Sequence, residues 1–129
     1  MKKQPEKTPV IIVVQDPQGR KRVLLGRRDA QLSLPKADKG AGMMTVAGQI
    51  FGQLYMRCKP ERIKAVTVGQ VTAYVMHTNW AHFSVYAKAS GTFADEVLSI
   101  PLDRVNSLCG KSILTGGTAA VLAALLPHL

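Results

Sequence analysis

Acids, aromatics and cysteines are all scarce in this sequence, and each scarcity closes off a class of function. Eight Asp and Glu stand against 17 Lys and Arg in 129 residues, a formal net charge of +9, so anionic partners are favoured over cationic ones. Aromatic residues are 5% of the chain, too few for a broad platform on which single-stranded bases would stack. The two cysteines, Cys58 and Cys109, have no CxxC spacing; they suggest neither a zinc site nor a disulfide framework and read as small apolar residues. Long apolar runs are missing too. The longest, Ala119 to Leu126, is far below the roughly 20 residues that span a bilayer, and Val10 to Val14 follows charges and two prolines too closely to be a signal-peptide core. A cytoplasmic protein with no membrane partner is expected.

What is present is unevenly placed. Residues 1–64 hold 14 basic residues against five acids, a net of +9, whereas residues 65–129 balance three against three. Charge clustered in this way concentrates polyanions and steers their approach. Nucleic acid or another phosphate-bearing ligand is the natural candidate, and Arg20, Lys21, Arg22, Arg27, Arg28, Lys36, Lys39, Arg57 and Lys59 are the residues expected to meet it. Trp80, in "TNWA", is the one candidate stacker.

The order of elements is legible. Residues 1–9, "MKKQPEKTP", are polar, carry two prolines and read as a flexible basic arm; residues 10–129 form one globular domain on length alone. "VIIVVQ" is a buried strand, "DPQG" a tight turn and "RKRVLLGRR" a second strand, making a hairpin. A short strand around Leu32 to Leu34 precedes a helix across "GAGMMTVAGQIFGQLYM". Met43, Ala47, Ile50 and Leu54 recur there at helical spacing, with Met44, Phe51, Tyr55 and Cys58 as a second apolar line. Gly48 and Gly52 lie inside that helix, each costing roughly 1 kcal/mol relative to alanine. Close approach of another backbone, from the domain's own sheet or from a second subunit, would offset that cost. The helix, with Met44, Gly48, Phe51, Gly52 and Tyr55, is therefore a candidate interaction surface.

"RIKAVTVGQVTAYVMHT" and "AHFSVYAKASG" read as two antiparallel strands. "DEVLSIPLDRVNSL" gives a strand and a helical turn after Pro101, and "TGGTAAVLAALLPHL" a closing helix capped by Thr118. That order predicts an α+β or mixed α/β domain, not a βαβ repeat.

Three stretches, "VLLGRR", "LSLPK" and "DEVLSIPLDRV", together with the order of elements, resemble the Nudix hydrolases. Members of that family carry a strand ending "LLxxR", then "LPGG", the Nudix box, and later "ExxWxPLDEL". The resemblance implies an α/β/α sandwich with a mostly antiparallel or mixed sheet and two main helices. The family's box glutamates hold magnesium against a diphosphate on one helix face. Here Pro35, Lys36 and Ala37 stand in the place of "PGG", and Gln49 and Gln53 are nearest the box arginine and a glutamate. Residues 40–56 contain no Asp or Glu. Magnesium needs hard anionic oxygens to neutralise charge and position water, so no catalytic residue, metal or cofactor is carried over.

Elsewhere, the spacing of His77 and His82 matches no common metal pair, and "LCGKS" lacks the first glycine of a phosphate loop, which would fall at Val105. The expected function is a non-catalytic Nudix-like domain that binds a nucleic acid, nucleotide or phosphate ligand through residues 20–64. The alternatives are a protein-interaction or homodimerisation module, and a divergent metal-dependent nucleoside-diphosphate hydrolase using Glu61, Asp95, Glu96 or Asp103.

Overall fold

The computed structural model describes residues 6–79, 91 and 93–129. At its centre lies β1 (Lys7–Gln15), with β2 (Lys21–Arg28), β3 (Gln31–Ser33) and β4 (Lys36–Asp38) following in sequence. α1 (Met43–Leu54) comes next, then β5 (Ile63–Val68), β6 (Val71–Asn79), β7 (Glu96–Pro101), α2 (Leu102–Leu108) and α3 (Gly116–Leu125). Among the described residues the sheet order is β3-β2-β1-β6-β5, with β4 added to β1 and β7 to β2. β1 runs antiparallel to β2 and parallel to β6, so the sheet is mixed.

The apolar run of β1 is continuous because both of its faces are covered. Ile11 and Val13 pack with Val23, Leu25, Leu122 and Leu125 on the α2/α3 side. Val10, Ile12 and Val14 pack with Leu24, Ile50 and Leu54 on the α1 side. Residues 10–14 are each at most 1% exposed. At roughly 1.5–3 kcal/mol per fully buried aliphatic side chain, that strand outweighs every surface ion pair, each worth about 1 kcal/mol at most.

β1 and β2 separate along their length. Val13 to Gln15 pair with Val23 to Lys21, but Lys7 to Pro9 pair with β4 and Gly26 to Arg28 pair with β3. The excursion from residue 31 to 38 fills that opening, and it brings the Leu34–Pro35–Lys36 segment against α1 and α3. Gly26 sits where β2 passes under the chain before β7: a Cβ there would lie 2.4 Å from the Phe93 ring and 2.7 Å from Ala94 Cβ.

Several expectations need correction. The first strand begins at Lys7, so Lys7 to Pro9 belong to the sheet rather than to an arm ending at residue 9. "RIKAVTVGQVTAYVMHT" is two strands, β5 and β6, because Gly69 at φ +62° opens a two-residue turn that continuous β-branched sequence concealed. Residues 81–90, read as a further strand, lie outside the described residues apart from the adjoining Gly91. α3 is preceded by Thr115 as its cap residue. Thr118 is buried one turn in, where its hydroxyl accepts the Leu34 N–H at 3.1 Å. In α1 the buried stripe is Val46, Ile50 and Leu54, with Met43 and Ala47 packed beside it.

Candidate functional site

α1 meets β4 through amides rather than carboxylates. Gln53 accepts the Lys36 N–H at 3.0 Å and donates to the Lys36 carbonyl at 2.6 Å, so its side chain copies the pairing of one more strand residue. Gln49 accepts the Asp38 N–H and donates to the Asp38 carboxylate, both at 2.8 Å. The outer edge of β4 is thereby satisfied by the helix. Both amides are committed to the fold, at the positions which the family resemblance places nearest its arginine and glutamate. Hydrogen bonds from Lys7 and Gln49 hold the Asp38 carboxyl below the usual carboxylate range.

Beside this clamp is a cavity of about 660 Å³, lined by Lys7, Lys36, Gln53, Phe93 and Thr115 among others. Lys7 and Lys36 are its charged groups, and Lys7 already pairs with Asp38. Among the described residues no group of three or more His, Cys, Asp or Glu is placed to share a metal ion. Burial pushes the Cys58 thiol up to about 11 and raises that of Cys109; both remain protonated at neutral pH and are poor nucleophiles.

A larger groove, about 1080 Å³, lies on the α2 side of the sheet. Its rim carries Arg20, Arg22, Arg27, Arg104 and Lys111 against Asp29 and Asp103. Aliphatic side chains, including Leu32, Leu98, Ile100 and Ile113, line it between these charges. Asp16 anchors one end. Its side chain is 2% exposed and takes the guanidinium groups of Arg22 at 3.1 Å and Arg20 at 3.4 Å. It also accepts the backbone N–H groups of Arg20 and Gln18. Desolvation raises the Asp16 pKa, but the bonds from the Arg20 N–H, the Arg22 side chain and the Gln18 N–H outweigh it, and the net shift is downward. Arg27 pairs with Glu96 at 2.5 Å, both half exposed. Arg104 and Lys111 are exposed, and no described acid pairs with them.

The predicted basic residues thus divide. Arg20, Arg22 and Arg27 border the larger groove, and Lys36 borders the smaller cavity. Lys21 donates to the Leu129 carbonyl at 2.7 Å, Arg28 to the Gly91 carbonyl, and Lys39 pairs with Glu6. Arg57 and Lys59 are exposed just past α1. Trp80 lies outside the described residues. Arg104 and Lys111 escaped the sequence reading because their half of the chain is neutral overall; only the docking of α2 beside β2 brings them to the arginines of the first half.

The outer side of α1 is apolar and open. Met44, Phe51 and Tyr55 are 81%, 43% and 46% exposed, and Phe51 and Tyr55 make an edge-to-face pair. Gly48 and Gly52 share that face, and an added Cβ would meet nothing within 4 Å at either among the described residues. Packing against the described strands therefore does not explain them.

No protein-family model matches the sequence, and no curated protein matches it. Solved structures do. A MutT/nudix family protein from Enterococcus faecalis superposes with a TM-score of 0.60 at 14% identity, covering 78% of this chain. The chain spans only 45% of that protein. The NUDIX domain of Shewanella oneidensis NrtR, in complex with ADP ribose, gives 0.56 at 13% identity over 83% of this chain and 79% of its own. An Ap4A hydrolase from C. elegans gives 0.54 at 11%, covering 98% of this chain and all of its own. The fold is Nudix-like α+β; at these identities the likeness shows the fold alone. Among the described residues no helix is long and apolar enough to cross a membrane.

Proposed function

We propose that this chain is a non-catalytic Nudix-like domain that binds a phosphate-bearing ligand, a nucleotide or nucleic acid, in the groove between β2, β7 and α2. The observation that carries this reading is the meeting of Arg20, Arg22, Arg27, Arg104 and Lys111 around one concavity lined with aliphatic side chains. Cations on the rim suit phosphates, and apolar walls suit the sugar and base between them. Asp16, with one carboxylate for two guanidinium groups, holds Arg20 and Arg22 in place while leaving them a surplus of positive charge. The non-catalytic part of the reading rests on α1, which offers amides already bonded to β4 where metal chemistry would need carboxylates.

ADP ribose, bound by the Shewanella domain, and a short single-stranded oligonucleotide are the first probes. With about three phosphates neutralised, affinity for the oligonucleotide should fall roughly twentyfold between 50 and 200 mM salt. Reversing Arg104 and Lys111 together, as Arg104→Glu and Lys111→Glu, should weaken binding at least tenfold. Arg28→Glu, outside the groove, should change it far less. No binding of either probe at low salt would remove the proposal. Metal-dependent release of phosphate from nucleoside diphosphate derivatives would instead establish the hydrolase alternative.

A further inference from the structure

We infer that the open edge of β5 is a docking site for an acidic segment of another protein, bound in extended form as an added strand. β5 stands three strands from β2 in the sheet, and the inference does not rest on ligand binding in the groove beside β2. Among the described residues β5 ends the sheet and pairs with β6 alone. The hairpin closes on Val68 and Val71 around Gly69 and Gln70. Val68, Val66 and Lys64 therefore exchange backbone hydrogen bonds with β6, while Ile63, Ala65 and Thr67 turn theirs outward. The Ile63 N–H is taken by the Pro60 carbonyl. Ala65 and Thr67 are exposed, and their backbone N–H and C=O groups have no partner among the described residues.

Charge selects the occupant. Residues 57–64 hold four basic residues against Glu61, and no Asp or Glu occurs between Glu61 and Asp95. No described acid pairs with Lys59, Arg62 or Lys64. On the face of β5 that carries Lys64 and Val66, a groove of about 510 Å³ is lined also by Arg62, His77 and His128, with Glu61 as its one acid. An added strand turns every second side chain toward that groove, and acids at those positions meet Arg62 and Lys64. Lysine on an edge strand repels another strand of like charge. A second copy of β5 would set Arg62 and Lys64 against their own counterparts, whereas an acidic strand converts the same repulsion into attraction. A polynucleotide would use the cations but not the outward row of backbone donors and acceptors.

A dye-labelled, end-capped octapeptide of alternating Glu and Val, titrated at low salt and followed by fluorescence anisotropy, provides the test. The expected dissociation constant is on the order of 100 μM, and the Ala65 and Thr67 amide resonances should shift on binding and exchange their hydrogens more slowly. The same peptide N-methylated throughout keeps its charge but loses its strand bonds, and should bind roughly tenfold more weakly or worse. Ala65→Pro removes an outward N–H at a position where an edge strand tolerates proline; it should abolish peptide binding and move the melting temperature by only a few degrees. Lys64→Glu, which leaves the backbone untouched, should weaken binding roughly tenfold and keeps the test decisive if Ala65→Pro does not fold. Arg104→Glu with Lys111→Glu should leave peptide binding unchanged, which separates this edge from the groove beside β2. No binding at about 1 mM peptide, equal binding of the N-methylated peptide, or loss of binding in the Arg104 and Lys111 variant alone overturns the proposal. So does an oligonucleotide that shifts the Ala65 and Thr67 amides more strongly than the peptide does, or self-association of the chain that Ala65→Pro abolishes.

Discussion

The two sides of the sheet bury similar apolar clusters, yet they treat charge in opposite ways. On the α1 side, the helix has no Asp, Glu, Lys, Arg or His of its own, and its two amides, Gln49 and Gln53, are spent on β4. On the α2 side, β2, α2 and the turns beside them put five cations around a single groove. The comparison separates two features that share one fold: a helix whose outer face carries exposed apolar side chains, and a groove with cations on its rim. In the hydrolases that the sequence resembles, the helix carries acids; here the electrostatic feature lies across the sheet from it.

The largest effect that would sharpen this contrast lies within α1. Ile50→Ala, on the buried stripe, should cost about 3 kcal/mol in urea unfolding, whereas Phe51→Ala, one residue on but facing outward, should change stability by less than about 0.5 kcal/mol. Equal losses would mean that the outer face is covered within a single copy. A smaller effect is expected from Gln53→Ala, about 1 kcal/mol, because two hydrogen bonds to Lys36 are lost at a partly exposed edge. Gln53→Glu should fare no better, since a carboxylate cannot donate to the Lys36 carbonyl.

The least of these effects is an acid dependence. Asp16 and Asp38 both have folded pKa values below the ordinary one. Their contribution is therefore complete above the unfolded value of about 4 and is lost as pH falls through the lower folded values. Melting temperatures measured from about pH 5 downward should decline, and Asp16→Asn and Asp38→Asn should each flatten that decline. An unchanged slope in both variants would show that these ion pairs are not what acid removes.

Much of the fold was legible because it follows local rules. The run Val10 to Val14, the "DPQG" turn, the helical period around Ile50 and the Pro101 start of α2 each act within a few residues. The site was legible only in part. Arg20, Arg22 and Arg27 were among the expected residues, but Lys21, Arg28 and Lys39 turn to other partners. Arg104 and Lys111 gave no signal, because a charge balance taken over half a chain cannot show which cations a fold will gather. The turn at Gly69 was hidden by Val and Thr on both sides, and Thr118 looked like a cap because cap chemistry and a buried hydroxyl use the same residue type.

By itself the sequence determined that α1 would be a helix without acids, that the chain would carry a surplus of positive charge, and that β1 would be a buried strand. These follow from composition and from side-chain periods of 2 and 3.6 residues, which need no knowledge of distant neighbours. Only the tertiary structure decided which side of α1 faces outward, where Gln49 and Gln53 spend their hydrogen bonds, and which cations share a groove. Those outcomes depend on bringing together residues as far apart in sequence as Arg20 and Lys111, which line one groove, and that placement is set by how the layers pack together.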